Sequence, residues 1–259
     1  MAKLFEKVEL LDTVKHKNLR WRCFGPQCPQ SCCYIPVRSN ISIHEVISLS
    51  RFFPIHFPMV KYQENQEPQL ELNIFFKLEK DPKPCVYLKE PEGCQLGPQK
   101  PIACKQYPFQ AVKDNLGRTV LQIDFTCPGW VQEGIEGEPV FADGKLNDYF
   151  MKGFVESSMQ FMNAGQETRA FVETLKLHNL IQGGEYRYRG VNVPINFVNE
   201  ERLLSLPKEV LQEFRLKGYM QVIYAHLASL QNFQKLIDAY LERNPELAQE
   251  TQSSSVFTL

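Results

Sequence analysis

The chain places eight cysteines at Cys23, Cys28, Cys32, Cys33, Cys85, Cys94, Cys104 and Cys127, and none in residues 128–259. Thiols that merely filled core space would be scattered. A block confined to the first half, opening as C-x4-C-x3-C-C, reads as a set of ligands. A thiolate is a soft anionic donor that suits Zn²⁺, Fe–S clusters and Cu(I). Zinc and a [4Fe–4S] cube each commonly take four cysteines. The expectation is therefore that all eight bind metal, as two four-thiolate sites or as one site with spare or bridging thiols. Cys32 and Cys33 are neighbours, and neighbouring side chains of an extended segment point to opposite sides. That pair can address two sites, whereas a disulfide between them would close a strained ring. Prolines and glycines beside Cys28, Cys94 and Cys127 let backbone curl around a metal. Arg20, Arg22, Lys83, Lys100, Lys105 and Arg118 are at hand to offset thiolate charge.

Three rival readings of the cysteines stay open. A disulfide framework suits an exported protein. Buried apolar thiols explain a few of the set. A catalytic or redox cysteine would leave the others structural.

At 259 residues the chain is one large domain or two small ones, and can build a hydrophobic core without metal or disulfides. A net charge of −1 argues against a dedicated nucleic-acid binder, which would carry a basic excess. The opening MAKLFEKVELLDTVKHKNLRW is interrupted by Glu6, Lys7, Glu9 and Asp12, so it is not a signal peptide. No apolar run is long enough to span a membrane. These features predict a cytoplasmic protein, and they make the sequon Asn40-Ile41-Ser42 a chance match.

Along the chain, residues 1–20 read as a partly extended lead-in. Ser42-Ile43-His44-Glu45 is a capping box opening a short helix through about Phe53. Gln69–Lys77 and Cys85–Leu88 read as strands, and Glu90-Pro91-Glu92-Gly93 as a turn. Pro98–Cys104 reads as a helical turn. Residues 106–113 and 118–126 flank Asp114-Asn115-Leu116-Gly117, a hairpin signature. A Gly-rich linker from Gln132 to Gly144 follows. Two amphipathic segments carry Phe150, Phe154, Val155, Met159 and Met162, then Phe171, Val172, Leu175 and Leu180, with Gly165 as the break between them. EYRYRGVNVPINFV has strand character. From Lys208 to about Arg243, Tyr219, Ile223, His226, Leu230, Phe233, Ile237 and Tyr240 recur at helical spacing.

At the cysteines the chain resembles the YkgJ-type cysteine-cluster proteins, a family described as a zinc- or iron-chelating domain. The likeness spans about residues 20–130. It rests on Cys23, Cys28, Cys32 and Cys33, then Cys85-Val86-Tyr87-Leu88, Cys94, Lys100-Pro101-Ile102-Ala103-Cys104, Tyr107-Pro108-Phe109 and Cys127-Pro128-Gly129. The first cluster is more widely spaced than is usual there, and Lys100 stands where arginine is usual. Flagellin lysine N-methylases look similar in this cluster. That likeness implies, as an alternative, an iron–sulfur protein acting on protein lysines with S-adenosylmethionine. Near the other end, INFVNEERLLSLP followed by YMQVIYAHLASLQNFQKL is similar to the C-terminal segment of SapC-type proteins.

Other candidates have plainer explanations. His226 lies on an apolar helix face and reads as a satisfied core histidine. His16, His44, His56 and His178 lack a paired ligand spacing. Asp124 could support Cys127, although a hairpin-end aspartate facing water is the simpler reading. Tyr107 and Phe109 are strand residues able to wall off a site. Met151, Met159 and Met162 suit core packing, and Glu64, Glu67 and Glu71 a solvated face. The expected protein is α+β. A loop-rich, metal-stapled module spans about 20–130, a mainly helical region 145–245 and a flexible tail 246–259. Its function is metal binding through zinc or a [4Fe–4S] cluster, with methyl transfer or redox and metal handling as alternatives. The expected partner is a protein.

Overall fold

A computed structural model describes residues 7–23, 28, 32–34, 36–61, 66–79, 81, 83–89, 92–131, 136–246 and 257–258. The turn residues Glu90 and Pro91, the loop prolines Pro26 and Pro29, Glu64, and most of the expected tail lie outside the described residues. The chain is a mixture of helix and strand, as its sequence predicts. It divides into two units, each assembled from two stretches of sequence. The first is Met1–Pro36 with Tyr87–Asn163, and the second is Val37–Val86 with Ala164–Leu259. No helix among the described residues is long and apolar enough to cross a membrane.

The first unit is built on short antiparallel sheets. The expected hairpin forms from strands Phe109–Lys113 and Thr119–Asp124. Its turn is held by Asp114, whose Oδ1 accepts from the backbone N–H of Leu116 and Arg118, each at 2.9 Å. Strand Val8–Leu10 adds to the hairpin, pairing with Thr119–Asp124. The lead-in therefore belongs to a sheet. Strand Arg20–Trp21 lies between Trp130–Val131 and Glu138–Pro139.

The segment from Gln132 to Gly144, expected to be a linker, carries structure in its described part. Glu138–Pro139 pairs as above, and Phe141–Ala142 forms a hairpin with Lys145–Leu146 across Asp143-Gly144. The reason is Val140, which is fully buried among Trp21, Phe109, Ile123, Phe150 and Val155. Burying a side chain of this kind stabilises by about 1.5–3 kcal/mol, enough to pin a polar segment at one point. Close packing also dictates Gly129, where a Cβ would lie 2.4 Å from the Arg22 carbonyl and 2.6 Å from Trp21 Nε1.

The second unit combines a long hairpin with helices. Strands Ile181–Tyr188 and Val191–Val198 pair over their whole length. The two-residue turn puts Arg189 at φ 50° and Gly190 at φ 77°, the left-handed pair that matches strand twist. Val191, Val193 and Ile195 pack with Phe75 and Leu78 against Phe233, Leu236, Ile237, Tyr240 and Leu241 of helix Asn232–Arg243. The stretch expected as helical from Lys208 is three helices: Lys208–Leu216, Tyr219–Ser229 and Asn232–Arg243. The Ser42 capping box forms, with Glu45 Oε2 accepting from Ser42 N–H at 2.9 Å, and opens a short helix ending at Leu49. The Gln69–Lys77 run splits into Gln69–Leu70 and Asn73–Phe75, which pair with different strands.

The break expected at Gly165 is absent. Helix Glu156–Leu177 runs through it, preceded by a π-helical turn at Met151–Val155. A lone glycine costs a helix about 1 kcal/mol, and burial of Phe171, Val172 and Leu175 outweighs that.

Candidate functional site

The cysteines are where the structure departs furthest from the sequence reading. No disulfide joins any of the eight. Seven fall in the first unit and Cys85 in the second. Cys23 and Cys104 are exposed, Cys28, Cys32, Cys33 and Cys94 are partly buried, and Cys85 and Cys127 are buried. Cys32 hydrogen-bonds Cys33, and this contact, burial and the nearby thiols of Cys104 and Cys23 push the Cys32 pKa far up. Cys127 Sγ accepts from Trp21 Nε1–H and from Gly129 N–H, each at 3.4 Å. Burial raises the Cys127 pKa although both donors pull it down. Among the described residues, no three His, Cys, Asp or Glu side chains form a group that could hold a metal ion. The expectation that metal binding is the function of this chain is thereby corrected. Order and spacing along a chain put several thiols in one region, but they do not make donor atoms converge on a point.

Two of the residues expected to offset thiolate charge, Arg20 and Arg118, are engaged elsewhere. The Arg20 guanidinium donates to the Gly137 carbonyl, at 2.9 Å from Nε. Arg118 pairs with Asp114. Asp124 does not face water. It is fully buried, and its Oδ1 accepts from Thr126 N–H at 2.9 Å. Burial is the main reason that Tyr107 titrates well above an ordinary tyrosine, with Cys127 and Asp124 adding to it. Phe109 is a core residue in contact with Phe150 and Trp130. Met151 packs against the same core, while Met159 is 38% exposed.

The histidines separate clearly. His226 is a satisfied core histidine, as expected. Its Nε2 accepts from Val198 N–H at 3.2 Å, and Nδ1 donates to the Ile55 carbonyl at 2.9 Å. His44 pairs with Glu167 at the surface, and His178 meets the edge of Phe214. His56 is buried against the Phe75 ring. His16 lines a cavity on the surface of the first unit.

That cavity is built from a tight turn after strand Val8–Leu10. Asp12 Oδ1 accepts from the N–H groups of Val14 and Lys15 at 2.8 and 2.7 Å. The Leu19 N–H closes the turn on the His16 carbonyl. Asp12 N–H donates to His16 Nδ1 at 3.0 Å. A ring nitrogen that accepts such a bond carries no proton, so the proton of the neutral ring sits on Nε2. The imidazole is 5% exposed, and its Nε2 is buried without a hydrogen-bond partner. The cavity has a volume of about 420 Å³ and is lined by Glu9, Lys15, His16, Asn18, Leu19, Phe125 and Val131. Phe125 leans on the imidazole at 5.8 Å and on Trp130 at 5.7 Å. Glu9 and Lys15 form an ion pair at the rim, and Glu9 Oε2 lies 3.5 Å from His16 Nε2. The hydrogen bond from Lys15 is the main cause holding the Glu9 carboxyl below its usual range.

No motif spacing announces this pocket. The available signal was local: Asp12 preceding Thr-Val-Lys-His is a turn former that presents Lys15 and His16 together.

The fold and the pocket define a protein of mixed helix and strand, compatible with α+β, with a small surface cavity in its first unit. The family model described as SapC matches residues 11–236. The chain belongs to the SapC family. This overturns the YkgJ-type resemblance, and with it the methylase alternative, while the likeness noted in the C-terminal segment extends over most of the chain. The match includes every pocket residue except Glu9. No curated protein and no solved structure matches the chain.

Proposed function

We propose that this SapC-family chain is a binding protein that takes a small organic carboxylate in the pocket of its first unit. One observation carries the reading. The Nε2–H of His16 is a buried donor whose tautomer is fixed by the Asp12 N–H, and the Glu9 carboxylate beside it stands at a long 3.5 Å. A buried donor left unpaired is costly, by about 1–3 kcal/mol, and an acceptor supplied by a ligand recovers that. The Lys15 ammonium and the Asn18 amide line the same cavity and add donors. Leu19, Phe125 and Val131 supply an apolar wall, which favours an organic acid over an inorganic anion. The volume falls in the range of small-ligand sites.

The test is calorimetric titration of the intact chain with benzoate and hexanoate, with the imidazole ¹⁵N signals of His16 followed in parallel. The expected result is a Kd of about 0.1–1 mM, with the His16 signals shifting on titration. Lys15→Gln, an exposed substitution, should weaken binding several-fold without lowering thermal stability. No heat and no shift up to about 10 mM of either acid, a range in which even millimolar affinity would register, would defeat the reading.

A further inference from the structure

We infer that Glu9 is a built-in competitor of this pocket: its carboxylate stands where the carboxylate of a ligand would bind, and binding requires it to leave. The inference rests on the proposed carboxylate-binding role and concerns how that site is controlled.

The argument begins with the strand. Glu9 is the middle residue of Val8–Leu10, and its backbone is held in register opposite Ile123. Its anchoring point is therefore fixed while its side chain is free to turn about three bonds. That side chain lies against Lys15 and His16 at the rim of the cavity. Its Oε2 accepts from Lys15 Nζ and lies 3.5 Å from His16 Nε2. One internal carboxylate thus sits beside two of the donors that would recognise an external one.

At 3.5 Å the contact to His16 Nε2 is long for a hydrogen bond and satisfies that nitrogen weakly. Glu9 thus covers Nε2 with a long contact, and a ligand carboxylate reaches that nitrogen by taking its place. Glu9 remains ionised at neutral pH, because the hydrogen bond from Lys15 holds its carboxyl below its ordinary range. It therefore opposes an anionic ligand both by occupancy and by charge.

Displacing Glu9 should be easy. Its side chain is 43% exposed and that of Lys15 63%, so the pair is a solvated one. Such pairs contribute little, and a released Glu9 carboxylate regains water. The arrangement sets a modest threshold on affinity, of the size that one exposed ion pair can impose.

The experiment compares benzoate binding by the intact chain, by Glu9→Gln and by Glu156→Gln. Glu156→Gln removes an equal charge from an exposed position of the same unit outside the pocket lining. The inference predicts about two- to five-fold tighter binding by Glu9→Gln, from the range of exposed ion-pair strengths, and no change for Glu156→Gln. If the intact chain binds benzoate and Glu9→Gln binds equally or more weakly, Glu9 is not a competitor, and the carboxylate-binding reading survives without it. Equal tightening by both variants would reduce the effect to net charge and overturn the inference. If none of the three binds benzoate or hexanoate, the reading of the pocket fails and takes the inference with it. Glu9→Ala serves as a second variant, with the expectation of the same sign.

Discussion

His226 and His56 show how a single side chain sets a pH limit. Both are buried in the second unit, and burial pushes their pKa values down, to about 4 for His226 and about 3 for His56. For His56 the neighbouring Arg38 and His226 add to the effect. Each ring is neutral in the fold and takes up a proton near pH 6.5 once unfolded. The folded state therefore has its full stability above about pH 6.5 and loses it as pH falls toward 4, because protons bind the unfolded chain first. Thermal melts of the whole chain are expected to show a falling Tm across that window. His226→Leu should flatten the dependence and lower Tm at pH 7, since the buried Val198 N–H loses its acceptor at a cost of about 1–3 kcal/mol. An unchanged slope of Tm against pH in that variant would contradict this account. The sequence did expose the role of His226, because its neighbours at helical spacing are apolar. It gave no such help with Asp124, whose position at a hairpin end suggested water. The fold buries it instead and bonds it to the Thr126 backbone.

Elements bounded by local chemistry were the most legible. Asp114-Asn115-Leu116-Gly117 and the Ser42–Glu45 box each act through hydrogen bonds to residues within four positions, so a short window holds all the information they need. Glycines divide by the backbone they occupy. At Gly165, inside helix Glu156–Leu177, the nearest atom to an added Cβ is Arg169 Nη1 at 3.8 Å. Gly165→Ala is therefore expected to raise stability by about 0.5–1 kcal/mol. Gly218 has φ +74° between helices Lys208–Leu216 and Tyr219–Ser229. Gly218→Ala should lower stability by about 1 kcal/mol, because alanine resists that conformation. Denaturant unfolding of the two variants gives opposite signs if the assignments are right. The same residue type reads identically in both places, and which φ it adopts follows from whether the flanking apolar faces continue in one direction.

At the scale of the molecule, each unit closes over two stretches that are distant in the chain. Phe75 and Leu78 complete the core formed by Val191, Val193, Phe233 and Ile237. A fragment of residues 164–246 is thus expected to keep helical content but lack fixed packing, and co-expression with residues 37–86 should restore it. Dispersion in a ¹⁵N–¹H spectrum checks both halves, and a well-dispersed spectrum from the fragment alone would refute this dependence. By itself the sequence determined the mixture of helix and strand, the capping box, the tight hairpin and the apolar helix faces near the C-terminus. All of these follow from spacing and turn chemistry over a few residues. Only the tertiary structure decided that the lead-in joins a sheet, that His16 lines a cavity with Glu9 beside its Nε2, and that no three potential ligand side chains form a metal-holding group among the described residues. Those outcomes depend on atoms brought together across a hundred residues or more, as in Phe125 meeting His16, and burial and hydrogen-bond direction set that convergence.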